Sequence, residues 1–365
     1  MSELVDVGSA VRFRDWYSYY GHIFQNISTG TCSESLAAYI ADHQQFVTPT
    51  CDLHVDCILE ATSESLKAKM ASAAIFLGIL PSVLSMLGPS MTQLALLSAR
   101  RPILSLLISV GSPGFYLERL CRLESPTQIL SIVQGERFIP RLKSSRWGVV
   151  VGIAEYIFVA GSVLNVINLA VRVGDRTIMS FRCNTWFLPL IWVFSITFLF
   201  IVVAIPFQFS AIAKHIRNCT VEKIRMSVDA GRGSPEDAQW SPPSSRTEWR
   251  PSSTVNVGTV RQNSGLSISQ FVIRELTPGM RHPAVRIHEL PEFEPWVAFL
   301  FNVGYLLAAF HVLLGTCWFS SILFVSPIDA IGVIMRFFGS AAACRLVVMV
   351  ELASMKSQEL PQDEK

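Results

Sequence analysis

Charge is what this chain has least of. Asp, Glu, Lys and Arg make up 16% of its 365 residues, where a soluble domain carries about 25%. The shortage is uneven: long uncharged blocks alternate with stretches that hold nearly all the charge. A soluble core would mix the two at helical or strand period. Other absences narrow the function. There is no Walker loop, dinucleotide fingerprint, HExxH or GxSxG, which leaves no motif for phosphate, nicotinamide, zinc or acyl-enzyme chemistry. No Ser, His and Asp set stands out on a common face. No internal repeat of the inverted kind divides the chain into transporter-like halves. The first residues, Met1 to Phe24, contain Arg12, Arg14 and Asp15 without an apolar h-region, so no cleavable signal peptide is expected. The net charge of +2 says little about partners, since the distribution of charge matters more than its sum; no nucleic-acid partner, cofactor or resident metal is expected.

What is abundant is apolar sequence, 50% of residues with a mean hydropathy of +0.41. A helix needs about 20 apolar residues to cross a roughly 30 Å hydrocarbon core. Four blocks meet that length: 70–87, 147–171, 186–213 and 296–325. A fifth, 329–350, is long enough but carries Arg336 and Arg345. Trp147, Trp186 and Trp296 open their blocks, as aromatic anchors at the headgroup level do. The expected fold class is therefore all-α: a polytopic membrane helix bundle of about five spans, within a range of four to six.

Between the first two blocks lies a puzzle. Residues 89–110 are apolar except for Arg100 and Arg101. Each arginine at the centre of a span costs about 2.5–3.5 kcal/mol on insertion scales, so a second crossing here is disfavoured. The expectation is one span, broken by Gly88 and Pro89. Two short interfacial pieces follow, from which Arg100 and Arg101 snorkel to the cytoplasmic lipid phosphates. A re-entrant hairpin buried among the other helices is the alternative.

The basic connector 88–146 and the run "KHIRNCTVEKIR" then mark the cytoplasmic side. Counting through places 1–69 outside and the tail 352–365 in the cytosol, in the plasma membrane or secretory pathway. The outer loop Arg172 to Thr185 is also basic and pulls the other way.

On the expected outer side stand Cys32, Cys51, Cys57 and Cys183, enough for two disulfides in three connectivities. A local Cys51–Cys57 ring leaves Cys32 for Cys183 and is the simplest pairing. A metal site at "CDLHVDC", using Asp52, His54 and Asp56, is the sharper reading, but its spacing matches no zinc pattern. Asn26-Ile27-Ser28 fits the glycosylation sequon. Residues 226–295 are rich in Ser, Pro, Arg and Gly and read as a disordered cytoplasmic loop. Ser234, Ser241 and Ser252 are its phosphorylation candidates, while "SISQFVIREL" regains enough alternation for a short strand or helix. Cys121 and Cys219 are juxtamembrane palmitoylation candidates.

Ionisable groups within spans are functional hypotheses by default. Here they are Glu155, His311, Arg336 and Arg345. A Glu155–Arg336 pair facing the bundle interior solves two burial problems together, with Arg345 snorkelling near Glu351.

The stretch "LLSARRPILSLLISVGSPG", with the preceding segment from Cys57, resembles a family of multi-pass membrane proteins of filamentous fungi with no established activity. The resemblance covers Cys57 to Gly114 and implies a membrane location and no chemistry. Three functions stay open. One is a non-catalytic scaffold or sensor whose partners are the lipid bilayer and cytosolic proteins reached through 226–295. The second is a transporter or channel using Glu155, His311 and Arg336. The third, an intramembrane enzyme, has the least behind it, and the oligomeric state is not legible.

Overall fold

A computed structural model describes residues 12–42, 49–116, 145–181, 183, 185–204, 275 and 295–356. Palmitoylation candidates Cys121 and Cys219, phosphorylation candidates Ser234, Ser241 and Ser252, and all of 226–295 except Glu275 lie outside them. The architecture is all-α. Helices α1 (Gly21–Asn26), α2 (Ser33–Asp42) and α3 (Pro49–Ala61) form a cap, with one π-helical turn at Ile27–Thr31. The bundle consists of α4 (Glu64–Leu87), α5 (Met91–Ser98), α6 (Pro102–Gly111), α7 (Ser145–Arg176), α8 (Leu188–Ala204), α9 (Pro295–Ser320) and α10 (Pro327–Lys356).

Four helices, within α4, α7, α9 and α10, are long and apolar enough to cross a membrane. Helix α8 is described over a shorter apolar stretch, within the third predicted block, 186–213. Apolar side chains occupy both surfaces of these helices. Leu77, Val166 and Phe337 are buried, while Ile79, Phe158, Leu164, Phe198, Leu313 and Leu346 are exposed. A water-soluble bundle puts polar residues outside. An apolar core inside an apolar jacket is what lipid requires. The chain is an integral membrane helix bundle.

Local chemistry sets where each helix starts and stops. Ser63 caps α4, accepting from Leu66 N at 3.4 Å, with Glu64 in the first turn. Ser90 and Gln93 form a capping box that starts α5. Ser326 accepts from Asp329 N at 3.0 Å and donates to the Asp329 carboxylate at 2.8 Å, which starts α10. Helix α4 ends at Leu87, as Gly88 and Pro89 predict.

The apolar stretch after that break is not interfacial. Helices α5 and α6 form a hairpin inside the bundle, where Met91, Leu94, Leu97, Leu104 and Ile108 are buried. The hairpin's base is tight. A Cβ on Gly88 would lie 1.9 Å from the Gly114 carbonyl oxygen, so two backbones touch where only glycine fits. Tyr116 N donates to Pro89 O at 3.1 Å and closes the loop. Helix α6 packs on α7, and α5 packs on α10. The re-entrant alternative is therefore the observed one. The interfacial reading fails because neighbouring helices bury most of both short helices, with Ile103 and Leu106 of α6 left exposed.

The cap sits on the end of the bundle where α4 begins and α7 ends. Residues 178–179 and 322–323 pair antiparallel, Ile178 with Leu323 and Met179 with Ile322, and tie the loops after α7 and α9. Phe13, Phe24, Val55 and Ile58 of the cap share a core with Met70, Ile178 and Phe324. Phe13 and Phe324 both hold positive φ, at 70° and 64°, a conformation costing about 1–3 kcal/mol for a non-glycine residue. Aromatic contacts hold them there: Phe13 on His54 at 4.5 Å and Phe324 on Phe24 at 5.0 Å, both near-perpendicular. Buried Arg12 closes α7, donating to Gly174 O at 2.6 Å and Thr177 O at 2.8 Å, which answers carbonyls left open at a helix end.

The disulfides correct the expected pairing. Cys32 joins Cys57, and Cys51 joins Cys183, each with Cα atoms 6.0 Å apart. Cys51 and Cys57 lie on one helix, about 9 Å apart along its axis, beyond the roughly 7 Å Cα separation a disulfide spans. The first bond staples the cap to itself and the second staples it to the bundle. Non-reduced peptide mapping should recover the 32–57 and 51–183 pairs; a 51–57 peptide would overturn this cap.

Candidate functional site

The end of the bundle opposite the cap collects its charge. Pro102 keeps Arg101 out of the helical region, at φ −130° and ψ 75°, between α5 and α6. That turn directs the Arg101 side chain into the bundle. Its Nη1 donates to Glu155 Oε2 at 2.5 Å and to Glu351 Oε1 at 2.8 Å, while Nε donates to the main-chain oxygen of Glu275 at 2.8 Å. The guanidinium carbon stands 5.2 Å from the Tyr156 ring centre, a cation–π distance. Arg101 is 1% exposed, Glu351 0%, Glu275 4% and Glu155 6%. No snorkelling occurs, because three carboxyl-bearing segments supply the partners that lipid phosphates were expected to give. Arg100 is also buried.

Glu275 comes from the long segment between α8 and α9. Its Oε1 accepts from Ile103 N at 3.2 Å and its Oε2 from the Tyr156 hydroxyl at 2.6 Å. Ile103 lies in the first turn of α6, whose N-cap residue Arg101 makes no side-chain capping bond. Glu275 therefore acts as that helix's cap from elsewhere in the chain, a carboxylate against a helix N-terminus. Glu275 falls in "SISQFVIREL", the stretch of the loop expected to form a short strand or helix, and it is helical and buried.

The other candidates fall into separate contacts. Arg336 does not pair with Glu155. It donates to Asn165 Oδ1 from Nε at 3.0 Å and Nη2 at 2.7 Å, and Asn165 returns a bond to Ser340 Oγ at 2.8 Å. Glu155 and Asn165 are ten residues apart on α7, about 15 Å along the axis, which puts Arg336 out of Glu155's reach. Arg345 does not reach Glu351. It donates to the Gly88 carbonyl and lies 5.6 Å from the Tyr116 ring centre. It therefore caps the broken end of α4, where a cation suits the helix dipole. His311 Nδ1 meets Ser195 Oγ at 2.8 Å, and its ring stacks on Trp192 at 4.9 Å, locking α9 to α8.

On the cap, Ser28 Oγ lies 2.9 Å from His54 Nε2 and Ser35 Oγ lies 2.8 Å from Nδ1. With both ring nitrogens engaged and Cys51 and Cys57 in disulfides, the metal reading of "CDLHVDC" loses its ligands. Asn26 is exposed.

Sequence reasoning picked out Glu155 and Arg101 but assigned neither its partner. It missed Glu275 and Tyr156 as site residues. Glu351, an acid at the end of the last apolar block, was the available signal for a deep cation. No family model, curated protein or solved structure matches the chain.

Removing one member of a buried ion pair strands the others and costs about 3–5 kcal/mol. Arg101→Leu should destabilise the detergent-solubilised bundle by about that amount, read by thermal unfolding. Arg101→Lys should recover only part, because an ammonium cannot reproduce the guanidinium's spread of donors. Wild-type stability in Arg101→Leu would remove the cluster's structural role. On the cap, burial pushes the His54 pKa down from 6.5 to about 4. Between these values the unfolded chain binds the extra proton. Cap stability should therefore fall as pH drops from 6.5 towards 4, and hydrogen exchange over 49–61 should show the fall flattened in His54→Gln.

Proposed function

We propose that this protein is a non-catalytic membrane sensor whose long segment between α8 and α9 is latched onto the membrane bundle by the α5–α6 hairpin. One observation carries the reading: Glu275, from the segment between α8 and α9, is buried at the hairpin tip and bonded to α6, α7 and Arg101. A segment held this way has two states, docked and released. Ser234, Ser241 and Ser252 lie in the same segment, and phosphorylation there adds charge that shifts such a balance. The released segment is what cytosolic partners meet.

The cap's two disulfides support an outer, oxidising location for residues 12–61, hence a cytosolic hairpin tip and C-terminus, in the plasma membrane or secretory pathway. Arg100 and Arg101 lend that orientation less weight than their sequence suggests, since partners within the bundle hold Arg101. The hairpin itself coincides with the stretch that resembles the fungal membrane family, and membership in that family is part of the proposal. A transport path through Glu155, His311 and Arg336 draws less support, because the three side chains sit in separate contacts on different helices.

Limited proteolysis in sealed vesicles tests the latch and the orientation together. Glu275→Ala and Tyr156→Phe should each raise cleavage within 226–263 several-fold from the cytosolic face, and glycan attached at Asn26 should be removable only from the other face. Unchanged cleavage in both variants would end the latch reading, and cleavage from the glycan-bearing face would reverse the topology.

A further inference from the structure

The sequon Asn26-Ile27-Ser28 lies in the cap, where α1 meets the π-helical turn. Asn26 holds φ −66° and ψ −37°, and Ile27 φ −67° and ψ −47°, both helical. Residues two apart on a helix do not share a face, and the two polar side chains of the sequon part accordingly. Asn26 is exposed, while Ser28 is 0% exposed. Thr29 and Gly30, three and four residues on and so beside Asn26, are exposed as well. A Cβ on Gly30 would meet nothing within 4 Å. The Asn26 side of the cap therefore has room for a bulky group.

Ser28 has no such freedom. Ser35 Oγ donates its one proton to Cys32 O at 2.9 Å, so it accepts from His54 Nδ1 at 2.8 Å. In the neutral ring Nε2 is then the acceptor, and the Ser28 hydroxyl, 2.9 Å away, donates to it. His54 is itself 0% exposed and packs against Phe13. The Cys32–Cys57 bond closes round this contact, and Cys51–Cys183 holds α3, which carries His54, against the bundle. The groups that tie Ser28 down come after it in the chain. His54 follows by 26 residues, and Cys183 follows Cys51 by 132.

We propose that Asn26 is an N-glycan acceptor only while the cap is open, and that closing the cap withdraws the site. Glycan transfer joins Asn26 Nδ2 to the anomeric carbon of a sugar carried on a lipid diphosphate. The carbon–nitrogen bond forms and the sugar–phosphate bond breaks; the diphosphate leaves with the bonding electrons, and Nδ2 gives up one proton to solvent. The sequon is defined by its hydroxyl as much as by its amide, so a transferase must hold both at once. In an extended chain residues two apart line one face, which presents Asn26 and Ser28 together. In the closed cap they point apart, and the hydroxyl is engaged by His54. A glycan already in place leaves the fold undisturbed, because Asn26 faces outward. Occupancy is thus decided by a race between transfer and formation of the Cys32–Cys57 and Cys51–Cys183 bonds. Access to a lumenal transferase rests on the outward cap of the proposed function; the geometry of the acceptor does not.

Full-length chain made without the lipid-linked donor, purified in detergent and left oxidised, separates the two. It is mixed with solubilised oligosaccharyltransferase and donor, so that membrane sidedness plays no part. The oxidised chain should take up glycan at least about tenfold more slowly than the same chain after reduction, since transfer then waits on local opening of a disulfide-held core. Asn26→Gln should abolish the mass shift in both, and Cys32→Ser with Cys57→Ser should raise transfer to the oxidised chain. Equal rates for oxidised and reduced chain, or no transfer to the reduced chain, overturn the proposal. Chain glycosylated during synthesis should show the same 32–57 and 51–183 peptides and the same thermal transition as the bare form; a changed pairing overturns the claim that the closed cap accepts the glycan. In sealed microsomes the wild type should be modified when donor is present during synthesis and not when it is supplied after oxidation. If the detergent experiment behaves as stated while neither order yields a glycan in microsomes, the acceptor geometry stands and the outward orientation falls.

Discussion

A guanidinium buried among helices in a membrane protein has no water to fall back on, and the far end of this bundle is organised around that fact. Arg101 must find acceptors within the protein, since an unpaired charge there costs several kcal/mol at least. Meeting the demand requires α7 to present Glu155, α10 to present Glu351 and the segment after α8 to return with Glu275. Each contact fixes the level of one element against the hairpin. The Tyr156 ring then covers the guanidinium face, and its hydroxyl orients Glu275. A buried ion cluster of this kind gives less net stability than an apolar core of the same volume. What it supplies is registry, because the contacts to Glu155, Glu351 and Glu275 each hold one segment against the hairpin.

The two ends of the molecule are held by different forces. At the cap end, covalent bonds do the work. Cys51–Cys183 crosses from cap to bundle, Arg12 closes the end of α7, and aromatic packing keeps Phe13 and Phe324 in strained conformations. The titration among these contacts is that of His54, whose depressed pKa of about 4 makes the cap lose stability only as pH falls below 6.5. At the hairpin end the ties are ionic and hydrogen-bonded, without a covalent link among the described residues. A bundle fixed at one end and held by charge at the other confines response to the second.

Much of the fold was legible because the membrane makes span length a sharp signal. Residues 70–87, 147–171 and 329–350 fall within helices of the bundle, and the block 296–325 does so as far as Ser320. Arg336 and Arg345 did not prevent the last from forming, since Asn165 and the end of α4 receive them. The hairpin was read at its boundaries, Gly88 and Pro89, but not in its placement. Insertion costs describe an arginine facing lipid, and Arg101 faces protein. The disulfide pairing failed for a local reason. Spacing in sequence made a Cys51–Cys57 ring look short, while helix α3 holds the two residues too far apart. The alternation of "SISQFVIREL" marked the stretch that holds Glu275, but not its partners, which lie 172, 119 and 174 residues away.

The short motif Arg100-Arg101-Pro102 joins these strands, because its chemistry and its backbone act on the same residue. Proline disfavours helical φ and ψ in the residue before it, so α5 stops short of Arg101. Proline is also at ease at the first position of a helix, so α6 starts at once. The chain therefore reverses within three residues, and the residue forced out of the helix carries the charge. Had Arg101 remained helical, its side chain would follow the axis of α5 and could not reach α7 and α10 together. Placing proline one residue earlier would instead push Arg100 out of the helix and return Arg101 to the start of α6, with no acceptor set prepared for either. The order of the three residues, and not their composition, builds the site.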